Sequence, residues 1–365
     1  MSVNIQTKAL RDLIGELMLS TAKEKDSILS NILIEIDENG IKGTALNNIT
    51  SIEKTIETKT DSSLSFTTDP QKLANILREI KEETIELDPE GKTITIKSSG
   101  FKTKIKVQDP QMFPKVKHPE NTQKICTIKA EKLKKLIKET IYCPDKNDIA
   151  REYTGVFVEV EEQQTKATAT DHYRLINIKT ENQNQTQTSL IIENAGATLI
   201  SRLSLEGDVE LYRGENELLI KQDNLIIVSK LISGNFPDYN QILLDRETSN
   251  SIEIDKEKLK DGVKRSSILS ENKDITVKID INEKTMSLVG QNSEGETAED
   301  VIEINPLEAQ KDLIIKLNSK FILDFLNQIE ADSVVLLYRS AEEPIMFESS
   351  EDQYSYKYIM TPIIE

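Results

Sequence analysis

The chain has 365 residues, a formal net charge of -17, 37% hydrophobic residues and no tryptophan. That length suits two or three domains with cores of their own. No apolar run approaches the ~20 residues of a membrane span, and the N-terminus lacks a basic-then-apolar export pattern, so a cytoplasmic protein with no membrane partner is expected. Cys126 and Cys143 stand at no metal or redox spacing, which argues against a disulfide framework and a zinc site. The acidic excess argues against nucleic-acid affinity spread over the whole surface, so any such contact must be local.

In chain order, residues 7–19 read as a helix, followed by strands at 28–36 and 41–46 with Asn39-Gly40 as a hairpin turn between them. Residues 64–67 form a short strand leading to Asp69-Pro70, an N-cap with proline at the first helical position, and a helix to about Lys81. Strands follow at 84–87, 93–98 and 101–107. The last puts Lys102, Lys104 and Lys106 on one face by its period of two, where charges can guard an open edge. Glu90-Gly-Lys-Thr93 is no phosphate loop, because Glu86 stands where that motif needs its first glycine.

After a polar linker at 115–122, residues 130–141 give an amphipathic helix. Leu133, Leu136, Ile137 and Ile141 share one face, and Lys134, Lys135 and Lys138 lie on the other. Strands at 153–161 and 165–170, a lead-in at 190–193, a helix at 195–205 and strands at 217–221 and 225–231 follow, then a linker at 240–249. The remainder reads as a helix at 256–269, strands at 274–281, 284–290 and 313–317, a helix at 319–329, strands at 333–339 and 344–349, and a tail at 356–365. An acidic run, Glu294, Glu296, Glu299, Asp300 and Glu303, opposes the basic strand in sign and suggests a head-to-tail contact between chains.

An offset of about 125 residues superposes Leu10, Leu133 and Leu259, and likewise Arg11, Lys134 and Lys260. Leu77, Ile200 and Leu326 align by the same offsets, as do Ile80, Leu203 and Ile329, while Phe113-Pro114 lands on Phe236-Pro237. Three diverged α+β copies therefore make up the chain, at 1–122, 123–249 and 250–365. Reactive chemistry is sparse. Asp171-His172 is an acid beside one of two histidines, but neighbours on a strand point to opposite faces and no nucleophile motif accompanies them. No dinucleotide fingerprint or metal-ligand cluster is present, so neither catalysis nor a cofactor is expected. The repeated positive helix face instead suits a polyanion, or acidic proteins bound by a scaffold without a DNA role.

Ala169-Thr-Asp-His-Tyr-Arg-Leu175, Gly234-Asn-Phe-Pro-Asp-Tyr239, residues 318–326 and the tail through Met360-Thr-Pro362 together resemble the bacterial DNA sliding clamps, the β subunits of DNA polymerase III. The resemblance covers the whole chain. It implies three clamp domains, each with two helices packed on antiparallel sheets, and a head-to-tail homodimer closing as a ring on double-stranded DNA. It also implies a non-catalytic processivity factor, cytoplasmic and nucleoid-associated, serving the replicative polymerase α subunit, the clamp loader, and other DNA polymerases and repair proteins. DNA would meet Arg11, Lys23, Lys134, Lys138, Arg151, Arg202, Lys260 and Lys264 without reading sequence. A peptide pocket between domains two and three would use Tyr153, Thr170, His172, Tyr173, Arg174, Leu175, Pro237, Gln241, Ile242, Asn318, Phe321, Pro344, Ile359, Met360, Thr361, Pro362 and Ile363, with Arg174 helping to orient the peptide. The dimer contact would join Lys102, Lys104 and Lys106 to Ile268, Leu269, Glu294, Glu296, Glu299, Asp300 and Glu303. The sequence departs from the family pattern at His172 (usually glycine), Tyr173 (usually histidine), Asp274 (often aromatic) and the acidic terminal Glu365.

Overall fold

One order of elements, β-α-β-β-β-β-α-β-β-β, recurs three times in the computed structural model, which describes residues 2–24, 26–58, 60, 62–184 and 186–364. Copy one comprises Val3–Gln6, helix α1 (Thr7–Leu17), Ile32–Asp37, Gly40–Leu46, Thr50–Ile56, Leu64–Thr68, α2 (Pro70–Glu79), Thr84–Glu90, Thr93–Ser98 and Phe101–Lys106. Copy two runs Gln123–Lys129, α3 (Ala130–Lys138), Val156–Val160, Gln164–Thr170, Arg174–Glu181, Thr188–Ile192, α4 (Asn194–Arg202), Asp208–Arg213, Glu217–Gln222 and Leu225–Ile232. Copy three runs Asn250–Asp255, α5 (Lys256–Ser266), Asp274–Asp280, Thr285–Gln291, Thr297–Glu303, Leu313–Asn318, α6 (Ser319–Leu326), Ser333–Tyr338, Ile345–Glu351 and Tyr354–Met360. A two-residue strand, Asn305–Pro306, is added before Leu313–Asn318.

Several strands escape the sequence reading. The strand ahead of each first helix (3–6, 123–129 and 250–255) is one set; Thr50–Ile56, Arg174–Glu181 and Asp208–Arg213 are others. The reason is visible in burial. Thr50–Ile56 opens with four consecutive buried residues and Arg174–Glu181 with five, so neither shows the alternation of a half-exposed strand. Residues 28–30, expected to begin a strand, form a 3-10 turn, and Arg151–Thr154 is 3-10 as well.

The chain packs as two compact units, residues 1–135 with 192–232, and residues 136–191 with 233–365. In the first, antiparallel pairing runs continuously from Leu64–Thr68 through Ile32–Asp37, Gly40–Leu46, Thr50–Ile56, Leu225–Ile232, Glu217–Gln222 and Asp208–Arg213 to Gln123–Lys129. The step from Thr50–Ile56 to Leu225–Ile232, with Leu225 opposite Lys54 and Ser229 opposite Thr50, joins copy one to copy two. The second unit repeats this junction. Its Arg174–Glu181 pairs with Tyr354–Met360, Arg174 opposite Met360 and Thr180 opposite Tyr354, and joins copy two to copy three.

Two strands at the equivalent places in the pattern are left over. Phe101–Lys106 ends the four-stranded sheet of the first unit, and Thr297–Glu303 ends a four-stranded sheet of the second. Among the described residues each pairs on one side only, with Thr93–Ser98 and Thr285–Gln291 respectively.

The helices are placed by apolar stripes at helical spacing. Leu10, Leu13, Ile14 and Leu17 of α1 are buried, and the helix lies so close to Gly40–Leu46 that a Cβ on Gly43 would fall 2.5 Å from Leu17 Cδ1. Asp69 caps α2, accepting from the amides of Gln71 and Lys72 at 2.9 and 3.2 Å. Both cysteines are buried free thiols, and burial pushes Cys126 up to about 12, so it is not a ready nucleophile at neutral pH. Asp69→Ala is expected to cost about 1 kcal/mol by loss of the cap, read as a lower midpoint in urea unfolding; an unchanged midpoint would show that the cap is redundant.

Candidate binding surfaces

At the start of the junction strand Arg174–Glu181, side chains from several parts of the second unit converge. Asp171 turns the chain into it, its Oδ1 accepting from the amides of Tyr173 and Arg174 at 3.2 and 3.0 Å. Its Oδ2 accepts from Arg174 Nε at 2.9 Å. The Arg174 guanidinium then reaches Asp324 of α6 through Nη1 at 2.6 Å and the Tyr142 carbonyl through Nη2 at 3.3 Å. It also lies 4.2 Å from the centroid of the Phe321 ring.

With a side chain 7% exposed, Arg174 is a buried strut between copies two and three. Its Nε and one N–H from each of Nη1 and Nη2 are engaged within the chain, which gives it a structural use besides the expected part in orienting a peptide. A buried, paired cation is costly to unpair. No local pattern marked Asp324 or Tyr142 as its partners.

Beside the strut, Leu175, Tyr239, Leu244, Leu337, Met346 and Ile359 form a buried apolar cluster, with Phe157, Phe236, Leu243 and Val335 packed on it. Tyr173 and Ile242 stand exposed nearby in sequence, at 65% and 44%, and Ile363 at 37%. The tail is tied down. Thr361 donates its amide and hydroxyl to Tyr173 O at 2.9 and 3.1 Å, and the Ile363 amide donates to Lys316 O at 2.9 Å.

Among the other expected pocket residues, Thr170 and Met360 are buried, while Tyr153, Pro237, Pro344 and Pro362 are half-buried. Asn318 caps α6, accepting from the amides of Lys320 and Phe321, and Gln241 is exposed and donates to Asp238. His172 pairs with Asp148 across a loop, not with its neighbour Asp171. Asp274 is held by Lys316 and Ser270. Glu365 lies outside the described residues.

The basic residues divide by environment. Arg11 is half-buried, and its guanidinium donates to Leu77 O (3.1 Å from Nε, 2.5 Å from Nη2) and to Ile80 O at 2.9 Å, closing the C-terminal carbonyls of α2. In copy three Lys256 does similar work, reaching Ile329 O at 3.4 Å. The cation repeated at Arg11 thus has a structural use in copy one.

Lys134 and Lys260 are half-buried, whereas Lys23, Lys138, Arg151, Arg202 and Lys264 are exposed. Lys264 lies 3.7 Å from Asp261. Arg11 also borders a cleft of about 630 Å³ whose wall brings in Lys8, Arg78 and Lys81, which the sequence reading passed over, together with Glu82 and Glu83.

On the strand Phe101–Lys106, Lys102, Lys104 and Lys106 are exposed as alternation requires, and Lys104 pairs with Glu90. The acidic run does not share one face. Glu299 and Glu303 point outward with Val301, while Asp300 points the other way and pairs with Arg265 of α5. Glu294 and Glu296 belong to the turn, both amides bonded to Asn292 Oδ1. Past α5, Ile268 is 75% exposed and Leu269 half-buried.

Three family models match in succession: the DNA polymerase III beta subunit N-terminal domain over residues 1–117, its central domain over 127–238 and its C-terminal domain over 241–363. The chain belongs to this family. It is a sliding clamp of α+β domains, a processivity factor for DNA polymerase, and the family is non-catalytic.

The beta sliding clamp of Haemophilus influenzae is 27% identical over 357 residues, covering 92% of each chain. That of Escherichia coli K12 is 23% identical over 342 residues, again 92% of each. The β subunit structure from Thermotoga maritima superposes with a TM-score of 0.91 at 20% identity, covering 100% of this chain and 99% of that one. The Pseudomonas aeruginosa structure gives 0.90 at 20%, covering 100% of both. Among the described residues of this clamp no cluster of three potential metal ligands occurs, and no helix is long and apolar enough to cross a membrane.

The two environments of the clamp's basic residues separate stability from electrostatics. Arg11→Met should lower stability by roughly 2 kcal/mol through its lost charged hydrogen bonds. Lys264→Ala should leave the unfolding midpoint within about 0.5 kcal/mol of the parent. Denaturant titration of both variants checks this, and equal midpoints would remove the role of Arg11 in closing α2.

Proposed function

We propose that two copies of this chain join head to tail and close around duplex DNA, with domains at 1–122, 123–249 and 250–365. The observation that carries this reading is the leftover pair of strands. Thr50–Ile56 pairs with Leu225–Ile232, and Arg174–Glu181 with Tyr354–Met360. The third equivalent pair, Thr297–Glu303 and Phe101–Lys106, is unpaired within the chain and opposite in charge on its outward faces.

A strand edge satisfies its backbone groups by adding another strand, and a head-to-tail contact avoids open ends by closing. Ile268, Leu269, Phe101 and Val301 add apolar surface to the contact. Glu299 and Glu303 oppose the three lysines, Glu294 and Glu296 extend the acidic end, and Asp300 supports α5 from behind.

Within the ring, the exposed cations Lys23, Lys138, Arg151, Arg202 and Lys264, with Lys134 and Lys260, face DNA phosphates. Arg11 contributes charge while holding α2. Phosphate contacts alone carry no sequence information, which suits sliding. The groove over Leu175, with Ile242, Tyr173, Pro362 and Ile363 at its rim, receives peptides from the polymerase α subunit, the clamp loader, and other polymerases and repair proteins. The protein works in the cytoplasm, on the nucleoid during replication.

Native mass spectrometry at micromolar concentration should give a dimer. Reversing Lys102, Lys104 and Lys106 to Glu should yield monomer, and a dimer unaffected by reversal would count against this edge. Once loaded, the clamp should stay on nicked circular DNA at salt that abolishes ordinary phosphate contacts and leave when the circle is cut. Equal retention on circular and open linear DNA would favour a scaffold that binds without encircling.

A further inference from the structure

His172 occupies a backbone position that suits glycine, with φ at +72° in the left-handed region. Its ring centroid lies 4.0 Å from that of Tyr153, the planes inclined at 46°, and Nε2 lies 2.5 Å from Asp148 Oδ2. Asp148 is fixed in turn, its Oδ1 accepting from the Ala150 amide at 2.8 Å. The Ala150 bond and then the His172 bond hold that carboxyl below its usual range, so the anchor stays ionised at neutral pH.

Tyr153 stands 6.5 Å from Phe236, which stacks on Phe157 at 4.7 Å and packs against the apolar cluster of Leu175. An aromatic row thus runs from the exposed His172 ring at its outer end to the buried cluster around Leu175. The ring is well placed without being locked in, since its side chain remains 47% exposed.

We infer that His172 is a specificity-determining cap of the peptide groove, held over Tyr153 by Asp148, that admits a slender aliphatic anchor and turns away a wide aromatic one. This rests on the peptide-groove reading. With the ring removed, the face of Tyr153 opens to the ligand and an indole has a surface to stack on. The strained turn is relieved at the same time.

The test uses the full chain and two fluorescein-labelled peptides. One is a clamp-binding peptide of the replicative polymerase α subunit synthesised with leucine at its apolar anchor position, and the other is the same peptide with tryptophan at that position. Fluorescence anisotropy should give wild type a preference for leucine of at least about tenfold, a difference typical of pocket-size discrimination. His172→Gly should narrow that ratio at least fivefold with an unchanged or higher Tm, and Asp148→Asn should narrow it less. His172→Ala answers the same question should the glycine variant not fold.

An unchanged ratio in the His172 variants, with the leucine peptide still bound, overturns the cap. Equal binding of the leucine peptide by Ile242→Glu, a substitution at an exposed rim position, or no binding by wild type, overturns the groove itself.

Discussion

A β-strand edge presents a row of amides and carbonyls that must be paired or hydrated, and the clamp's architecture follows from how it treats three such edges. Each copy supplies one strand from its first half and one closing strand to a junction. The pairings of Thr50–Ile56 with Leu225–Ile232 and of Arg174–Glu181 with Tyr354–Met360 use two of the three possibilities inside the chain. The same backbone hydrogen bonding that builds each unit therefore specifies, through Phe101–Lys106 and Thr297–Glu303, what a second copy is proposed to complete. In the proposed dimer, opposite charge on those strands favours head-to-tail over like-with-like contact, since like charges directly opposite are unfavourable.

In the proposed reading the junction in the second unit has a further use, as the floor of a peptide site. Backbone pairing brings Leu175 opposite Ile359, and the buried cluster around them collects residues from copies two and three. Arg174, engaged by Asp171, Asp324 and the Tyr142 carbonyl, fixes α6 beside this cluster. A rigid apolar floor with a tied-down tail suits a short extended ligand better than a mobile surface would, because less ordering is needed on binding. The aromatic row ending at His172 gives that floor a defined boundary.

Electrostatics explains how a chain of charge -17 can work on a polyanion. Exposed cations stand on α3 (Lys138), on α5 (Lys258, Lys264, Arg265) and at the ends of α2 (Arg78) and α4 (Arg202), among others spread along the chain. Weak and local attraction is compatible with a protein retained by closure, and strong attraction would oppose movement along DNA. One of the repeated cations serves the fold instead: Arg11 donates to the Ile80 carbonyl that ends α2, and Lys256, at a different position, donates to the Ile329 carbonyl just beyond α6.

The sequence by itself determined the triplication, the helix stripes, the Asp69 cap and the alternation that exposes Lys102, Lys104 and Lys106. These depend on spacing within a few residues or on an offset that survives divergence. Only the tertiary structure decided the strands at 50–56 and 174–181, because a strand covered on both faces loses its period of two. It also decided that Asp300 turns inward to Arg265, that Arg174 is a strut, and that His172 finds Asp148 instead of Asp171. Those outcomes depend on which residues distant in sequence come to share a surface once backbone pairing fixes the register, and no local pattern of residue types encodes that.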